Sequence, residues 1–220
     1  MSNTITYAGV RIDSYSVREA IQKAEEFFDN GRVNTIETIS MKTLVAAAED
    51  EKIRDCLRGV DLVIPGDKEI LELAEDIPQE YIRETEERLF FYEFMKLAAE
   101  KGKSCYLLSR TAEDAQELSR LLEYLYGDRI RICGSCALSS YTGEEEDIIN
   151  EINGALPDMI LSILTSPKQE YFLREHVHKI PACVWYGIGA ENDVTDSRQG
   201  LKTWFNKQKS RYKMRRMLSE

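Results

Sequence analysis

Short apolar segments alternate with amphipathic helices along most of the chain, and this alternation constrains the fold more than any other feature. The apolar segments include VDLVIPGD (60–67), SCYLLS (104–109), DMILSIL (158–164) and ACVWYGIG (182–189). Strands that are apolar on both faces and are separated by helices are typical of a parallel sheet covered by helices on both sides. We therefore predict an α/β fold, a Rossmann-like, doubly wound and mostly parallel sheet.

Local signals place the first elements of this pattern. Ser16 and Glu19 form a capping box before an amphipathic helix that ends at Gly31, and a strand follows over 33–39. The turn at Pro65 and Gly66 ends the next strand. It leaves the following residue, Asp67, in position to cap a helix. Further segments are predicted as helices at 90–100, 111–126, 144–153 and after 167, and as a strand at 130–133.

Charge divides the chain into two parts. Of its 220 residues, 29 are Lys or Arg and 39 are Asp or Glu, which gives a net charge of -10. The last 23 residues hold eight of the bases and one of the acids, about +7, so the rest carries about -17. We predict a Rossmann-like domain over 1–197 and a basic, amphipathic helical appendage over 198–220. The acidic body argues against nucleic acid as a partner, because phosphates would repel it.

The start of the chain lacks the charged and apolar regions of a signal peptide, and no apolar run is long enough to span a membrane. We expect a cytoplasmic protein that is peripheral on the inner face of the membrane, with the basic appendage contacting anionic lipid. Three alternatives stay open for the appendage. It could dock on the acidic body, dock on another subunit of a homo-oligomer, or form a nucleic-acid arm.

Cysteine and histidine give weak signals. The five cysteines are expected to be reduced, mostly buried thiols, and Cys133 and Cys136 form a CxxC without the second pair that a zinc site needs. His176 and His178 are two residues apart on a predicted helix and do not face each other. No glycine-rich dinucleotide or P-loop motif occurs, so neither dinucleotide nor P-loop chemistry has a motif to support it. We expect no cofactor, and no metal at these cysteines and histidines.

The segments that follow the predicted strands, where ligands bind in this fold class, resemble a known family. The resemblance runs from about residue 5 to 195, and its most specific part is PKQE (167–170) followed by a strand that ends in GIG. It is carried by GVRIDSYSVREAI (9–21), TIS (38–40), DEKIRDCLRGVDLVIPGD (50–67), the region of Arg83, LAAEKGK (97–103), YLLS (106–109), PDMILSILTSPKQE (157–170) and GIGAEND (187–193). On these segments the chain resembles the WecG/TagA/CpsF glycosyltransferases.

The resemblance implies an activity and a site. Such enzymes transfer N-acetylmannosamine or a related sugar from a UDP donor to a polyprenyl-diphosphate-linked acceptor, for cell-surface polysaccharide synthesis and without a metal. It implies Asp67 as the base that accepts the proton of the acceptor hydroxyl. The other implied substrate contacts are Thr38, Ser40 and Gln169 on the sugar, Arg83, Lys168 and the hydroxyls of Thr165 and Ser166 on phosphate, and Asp193.

The chain departs from the family pattern at several of these positions. Where the family has Thr-x-Asn, Pro-Asp-Gly, Gly-x-Gly-Met and Arg-Val-x-Gly-x-Asp, the chain has Ser40, Gly66 followed by Asp67, Ile163 to Ser166, and Glu86 with Arg88. Each site residue therefore keeps a simpler interpretation: a helix cap for Asp67, a helix start for Lys168 and Gln169, and a solvated face for Arg83. For the whole chain, the alternative is a degenerate relative that acts as a binding or scaffold subunit.

Overall fold

The computed structural model of the chain describes residues 4–74 and 76–189. Its strands are β1 (Thr4–Tyr7), β2 (Val10–Asp13), β3 (Asn34–Ile39), β4 (Leu62–Pro65), β5 (Ser104–Ser109), β6 (Arg131–Ala137), β7 (Met159–Ile163) and β8 (Val184–Gly187). Its α-helices are α1 (Val17–Glu26), α2 (Met41–Glu49), α3 (Glu51–Arg58), α4 (Lys68–Glu72), α5 (Gln79–Glu86), α6 (Leu89–Glu100), α7 (Ala112–Tyr126), α8 (Glu145–Ala155) and α9 (Lys168–His176).

Six strands form one sheet in the order β4-β3-β8-β7-β5-β6, and every neighbouring pair is parallel. Strands β1 and β2 form a separate antiparallel hairpin. The predicted Rossmann-like, doubly wound architecture is therefore confirmed.

Successive residues of the strands enter two hydrophobic cores, one on each face of the sheet. Val184 and Tyr186 of β8 pack on the side of α1, α6 and α7, whereas Trp185 between them packs on the side of α2, α3, α8 and α9. This alternation follows from the strand repeat of two residues. Because both faces of each strand are buried, the strands are unbroken apolar runs in the sequence. Only side chains on the same face of the sheet can meet at the site.

Helix starts follow their sequence signals closely. The Ser16 hydroxyl accepts a hydrogen bond from the Glu19 N–H at 3.3 Å, and the Glu19 carboxylate accepts one from the Ser16 N–H at 2.9 Å. Thr111 and Asp114 repeat this capping box at the start of α7. Both helices therefore begin where the sequence predicted.

Three features differ from the sequence predictions. The β1–β2 hairpin was not predicted, because two strands of four residues give no readable alternation. Helix α5 was not among the predicted elements. None of its residues is buried, so no buried apolar face marked it in the sequence. Strand β6 was predicted to end at Cys133 but continues to Ala137, since Gly134 leaves room for the ring of Tyr106: a Cβ there would lie 2.6 Å from Tyr106 Cε2.

Some predictions fall beyond the described residues. The appendage over 198–220, the boundary at 197 and Asp193 all lie outside them. Within 4–74 and 76–189, no helix combines the length and the apolar character that crossing a membrane requires.

Candidate functional site

The carboxyl ends of β4, β3, β8 and β7 lie side by side along one edge of the sheet. A cavity opens there, on the face of the sheet that α1 and α6 cover, and α5 forms part of its wall. It is lined by Tyr15, Val17, Ala20, Thr38, Ile64, Pro65, Gly66, Tyr81, Glu84, Thr85, Arg88, Phe90, Phe91, Tyr186 and Ile188. The cavity therefore lies at the edge where the sequence predicted a ligand.

Two hydroxyl groups meet at the floor of the cavity. Thr38 Oγ1 and the Tyr186 phenol lie 3.2 Å apart, and both side chains are buried. Burial raises the pKa of Tyr186, although the hydrogen bond with Thr38 and the charge of Arg88 act in the opposite direction. The phenol therefore stays protonated at neutral pH and can donate a hydrogen bond.

Gly66 lines the cavity, but Asp67 is directed elsewhere. Asp67 lies just before α4, as predicted, yet its carboxylate makes no capping bond to that helix. Instead, Asp67 Oδ2 accepts a hydrogen bond of 2.8 Å from the N–H of Met41, the first residue of α2. A side chain at position 66 has no room, since its Cβ would lie 2.7 Å from the Ile39 carbonyl oxygen.

Helix α5 and the residues after it bring two charged groups to the cavity wall. Glu84 Oε2 accepts a hydrogen bond of 2.9 Å from the N–H of Val17, the first residue of α1. Arg88 separates α5 from α6 in a left-handed conformation with φ 51° and ψ 42°, and its Nη1 lies 3.4 Å from the Gly189 carbonyl oxygen. Among the described lining residues these are the one carboxylate and the one guanidinium.

Gln169 lies on the opposite face of the sheet from Thr38. Its amide nitrogen donates to both carboxylate oxygens of Glu37, at 2.8 and 3.0 Å, and its carbonyl oxygen accepts from the Ser162 hydroxyl at 2.5 Å. Trp185 Nε1 also donates to Glu37, at 3.1 Å. Gln169 is thus a member of a buried polar network below the carboxyl edge, and its contact with a sugar stays a prediction.

The remaining predicted residues do not converge on the cavity. Ser40 is buried and caps α2 by accepting from the Thr43 N–H at 3.0 Å. Lys168 pairs with Glu145 of α8. Arg83 is an exposed residue of α5 outside the cavity lining.

Thr165 and Ser166 occupy the loop between β7 and α9. The Thr165 carbonyl oxygen accepts from the Gln169 N–H at 3.1 Å, and the Ser166–Pro167 peptide bond is cis. Both residues lie outside the cavity lining. A phosphate contact from their hydroxyls stays a prediction.

Glu145, Glu175 and His176 offer ligand atoms within 4.8 Å of one another, in the part of the chain that the structure describes. Glu145 accepts a hydrogen bond from Lys168, and its other carboxylate oxygen lies 2.7 Å from His176 Nε2. Burial raises the pKa of Glu145, but these two hydrogen bonds outweigh it and lower the pKa overall. Because the Lys168 ammonium already balances the charge of Glu145, the group is better described as an ion-pair cluster that joins α8 to α9.

A comparison of the sequence with known protein families gives a match over most of the chain. The model of the glycosyl transferase WecG/TagA/CpsF family matches residues 5–201. This chain belongs to that family. The matched range includes all six strands of the parallel sheet and every described residue that lines the cavity. None of the curated proteins compared with the chain matches it.

Of the polar residues that line the cavity in this family member, sequence reasoning nominated Thr38 and missed the others, Tyr186, Glu84 and Arg88 among them. Tyr186 was treated as part of an apolar strand, and Glu84 as part of a charged run. Arg88 was noted only as a departure from the family pattern, and its left-handed backbone leaves no trace in the sequence. A signal did exist for Tyr186: it lies one residue before Gly187, on the strand whose carboxyl end was predicted to face a ligand.

Proposed function

We propose that this protein transfers an N-acetylhexosamine-type sugar, similar to N-acetylmannosamine, from a UDP donor to a polyprenyl-diphosphate-linked acceptor. The observation that carries the proposal is the family match over residues 5–201, which includes every wall of the cavity at the carboxyl edge. The acceptor is a membrane lipid, so the protein would work at the cytoplasmic face of the membrane. The basic segment 198–220 would contact anionic lipid there.

The reaction needs a base and an anion-binding surface. The acceptor hydroxyl oxygen attacks the anomeric carbon, the bond from that carbon to the diphosphate oxygen breaks, and UDP leaves with the electron pair. The base takes the hydroxyl proton. We assign this role to Asp67, with Thr38, Ser40 and Gln169 on the sugar side. On the family resemblance alone, phosphate contacts are assigned to Arg83, Thr165, Ser166 and Lys168, which lie outside the cavity lining, and Asp193 is kept as a further substrate contact.

Glu84 is the second candidate for the base, because it is the carboxylate that lines the cavity among the described residues. Two variants separate the candidates without removing their structural hydrogen bonds. In Asp67→Asn the amide oxygen can still accept from the Met41 N–H, and in Glu84→Gln it can still accept from the Val17 N–H.

The test measures UDP release across a panel of UDP-hexosamines, with and without a short-chain prenyl-diphosphate-linked acceptor. We expect Asp67→Asn to lower the rate by about 100-fold or more, as is usual for the loss of a general base. The exposed variant Asp128→Asn is the control and should leave the rate unchanged. Loss of turnover in Glu84→Gln with retention in Asp67→Asn would assign the base to Glu84. Absence of both donor binding and release in the native chain would contradict the transferase proposal.

A binding or scaffold subunit is the alternative function, and the geometry around Gly66 favours it. The family carboxylate cannot be restored by Gly66→Asp with Asp67→Gly alone, because a side chain at 66 meets the Ile39 carbonyl and the Met41 N–H loses its acceptor. The same assay decides between the two functions. UDP-sugar binding without any turnover, unchanged in Asp67→Asn, would support the binding subunit.

A further inference from the structure

The described walls of the cavity are mostly apolar and aromatic, with Tyr15, Phe90, Phe91 and Ile188 among them. Its polar side chains, besides that of Tyr15, are those of Thr38, Tyr81, Glu84, Thr85, Arg88 and Tyr186. Burial raises the pKa of Tyr186 and the charge of Arg88 acts to lower it, while the Tyr186 phenol lies 3.2 Å from Thr38 Oγ1. The one carboxylate of the described lining, Glu84, accepts a hydrogen bond of 2.9 Å from the Val17 N–H. Arg88 and the two hydroxyls supply donors for an anion, and a low local dielectric strengthens charged hydrogen bonds.

The backbone holds Arg88 in an unusual conformation at this position. A φ of 51° is uncommon for a residue other than glycine. The Arg88 N–H donates to the Thr85 carbonyl oxygen at 2.9 Å, which closes the turn between α5 and α6. Arg88 Nη1 lies 3.4 Å from the Gly189 carbonyl oxygen at the end of β8, so the guanidinium lies between the α5–α6 turn and the sheet.

The cations that the sequence nominated for phosphate binding lie elsewhere. Arg83 is exposed and lies outside the cavity lining. Lys168 pairs with Glu145 between α9 and α8, the helices on the other face of the sheet. The planar, five-donor guanidinium of Arg88 suits the geometry of phosphate oxygens.

From this arrangement we propose that Arg88, together with the hydroxyls of Tyr186 and Thr38, binds the diphosphate group of a substrate in this cavity. The proposal rests on the proposed function, since both substrates of that reaction carry a diphosphate. The apolar walls suit a prenyl chain, and the aromatic rings suit a nucleobase. Whether the bound diphosphate belongs to the donor or to the acceptor is therefore decided by experiment.

The experiment measures binding of four probes to the full chain by calorimetry: UDP, uridine, geranyl diphosphate and inorganic pyrophosphate. Arg88→Asn removes the charge, and asparagine tolerates a left-handed backbone, so this variant should fold with an unchanged or raised Tm. Arg88→Lys keeps the charge without the planar fork, and Arg120→Asn removes an exposed arginine of α7 as the control.

We expect Arg88→Asn to weaken diphosphate binding by about tenfold or more, which matches the loss of one charged hydrogen bond. Arg88→Lys should lose less, and the control nothing. Uridine affinity should stay constant if the diphosphate belongs to the donor. A loss seen with geranyl diphosphate but not with UDP would assign the site to the acceptor.

Two results would overturn the proposal. In one, the Arg88→Asn variant binds every diphosphate probe as tightly as the native chain does. In the other, the native chain binds no diphosphate probe at all. These outcomes are separate from the fate of the proposed function. UDP-sugar turnover with an unaffected Arg88→Asn variant keeps the transferase and removes this role of Arg88. Pyrophosphate binding that depends on Arg88, without any turnover of UDP-sugars, supports this role of Arg88 and contradicts the transferase proposal.

Discussion

Gly187 lies where the backbone of β8 passes the buried pair formed by Glu37 and Gln169. A Cβ at this position would lie 1.9 Å from Glu37 Oε2 and 2.1 Å from Gln169 Nε2. Glu37 and Gln169 are only 3% and 5% exposed and are bonded to each other, to Ser162 and to Trp185, so they have little freedom to move aside. One missing side chain therefore makes room for the polar network beneath the carboxyl edge.

We expect Gly187→Ala to lower the free energy of unfolding by about 1–3 kcal/mol, because overpacking displaces a buried hydrogen-bonded pair. Gly154→Ala is the matched control. Gly154 is an exposed helical residue of α8 whose Cβ would meet nothing within 4 Å, so its substitution should be neutral or add up to about 1 kcal/mol. Urea denaturation measures both variants, and equal stability of the two would contradict the role assigned to Gly187.

At the scale of elements, aspartates join neighbouring strands at the amino edge of the sheet. The Asp158 carboxylate, just before β7, accepts from both the N–H and the hydroxyl of Ser104, the first residue of β5, each at 2.8 Å. Asp61, just before β4, accepts in the same way from the N–H and the hydroxyl of Thr35 in β3, at 2.9 and 3.1 Å. The amino edge is thus fixed by side chains, and the cavity lies at the carboxyl edge.

The pH dependence of Asp158 tests this arrangement. Burial raises its pKa, but the hydrogen bonds from Ser104 and the charge of Lys103 outweigh burial and lower the pKa below the ordinary 3.8. A lowered pKa means that the ionised carboxylate stabilises the fold above the unfolded-state pKa. This stabilisation is lost as the pH falls through the lower, folded-state value.

We expect Asp158→Asn to lower the free energy of unfolding at pH 7 by about 1 kcal/mol, a value reduced for partial exposure. The difference in free energy of unfolding should narrow as the pH falls from the unfolded-state pKa, about 3.8, through the lower folded-state pKa, because the folded carboxyl becomes protonated only there. Urea midpoints at several pH values provide the measurement, with the exposed Asp128→Asn as the control. A difference that stays constant down to the acid limit would contradict the role of the charge.

Periodicity predicted the elements that bury an apolar face, and it failed for those that do not. The strands of the sheet could be predicted as short unbroken apolar runs, because both of their faces are buried, and helices such as α1 and α7 from apolar residues at helical spacing. Helix α5 packs through Glu84 and Tyr81, which contact the start of α1 at Val17 and Glu19, and a charged run does not reveal such contacts. The part of the cavity wall that α5 forms could therefore not be predicted from the sequence.

At the scale of the molecule, the edge that holds the site could be predicted, but the grouping of its residues could not. The carboxyl edge follows from parallel topology alone. Which residues share a face depends on single positions along each strand: Thr38 faces the cavity and its neighbour Glu37 faces the other core. Gln169 reaches Glu37 across 132 positions of sequence, and no local pattern encodes that contact.

Charge asymmetry is the other property of the whole molecule, and from it we predict that the protein binds an anionic membrane. Eight Lys or Arg against one acid over 198–220 contribute about 1 kcal/mol each near an anionic surface, whereas the body at about -17 is repelled by it. We expect the native chain to sediment with phosphatidylglycerol vesicles at about 0.01 M salt and to be released at about 1 M, where the Debye length falls from roughly 30 Å to roughly 3 Å.

Two variants separate electrostatic attraction from apolar insertion at this surface. Replacing the eight bases of 198–220 with glutamine should abolish sedimentation even at low salt, because the remaining charge is repulsive. Substituting Trp204 and Phe205 with serine keeps the charge and should weaken binding while preserving its salt dependence. Sedimentation that ignores both salt and the loss of the bases would show that the acidic body, or apolar contact alone, holds the protein on the vesicle.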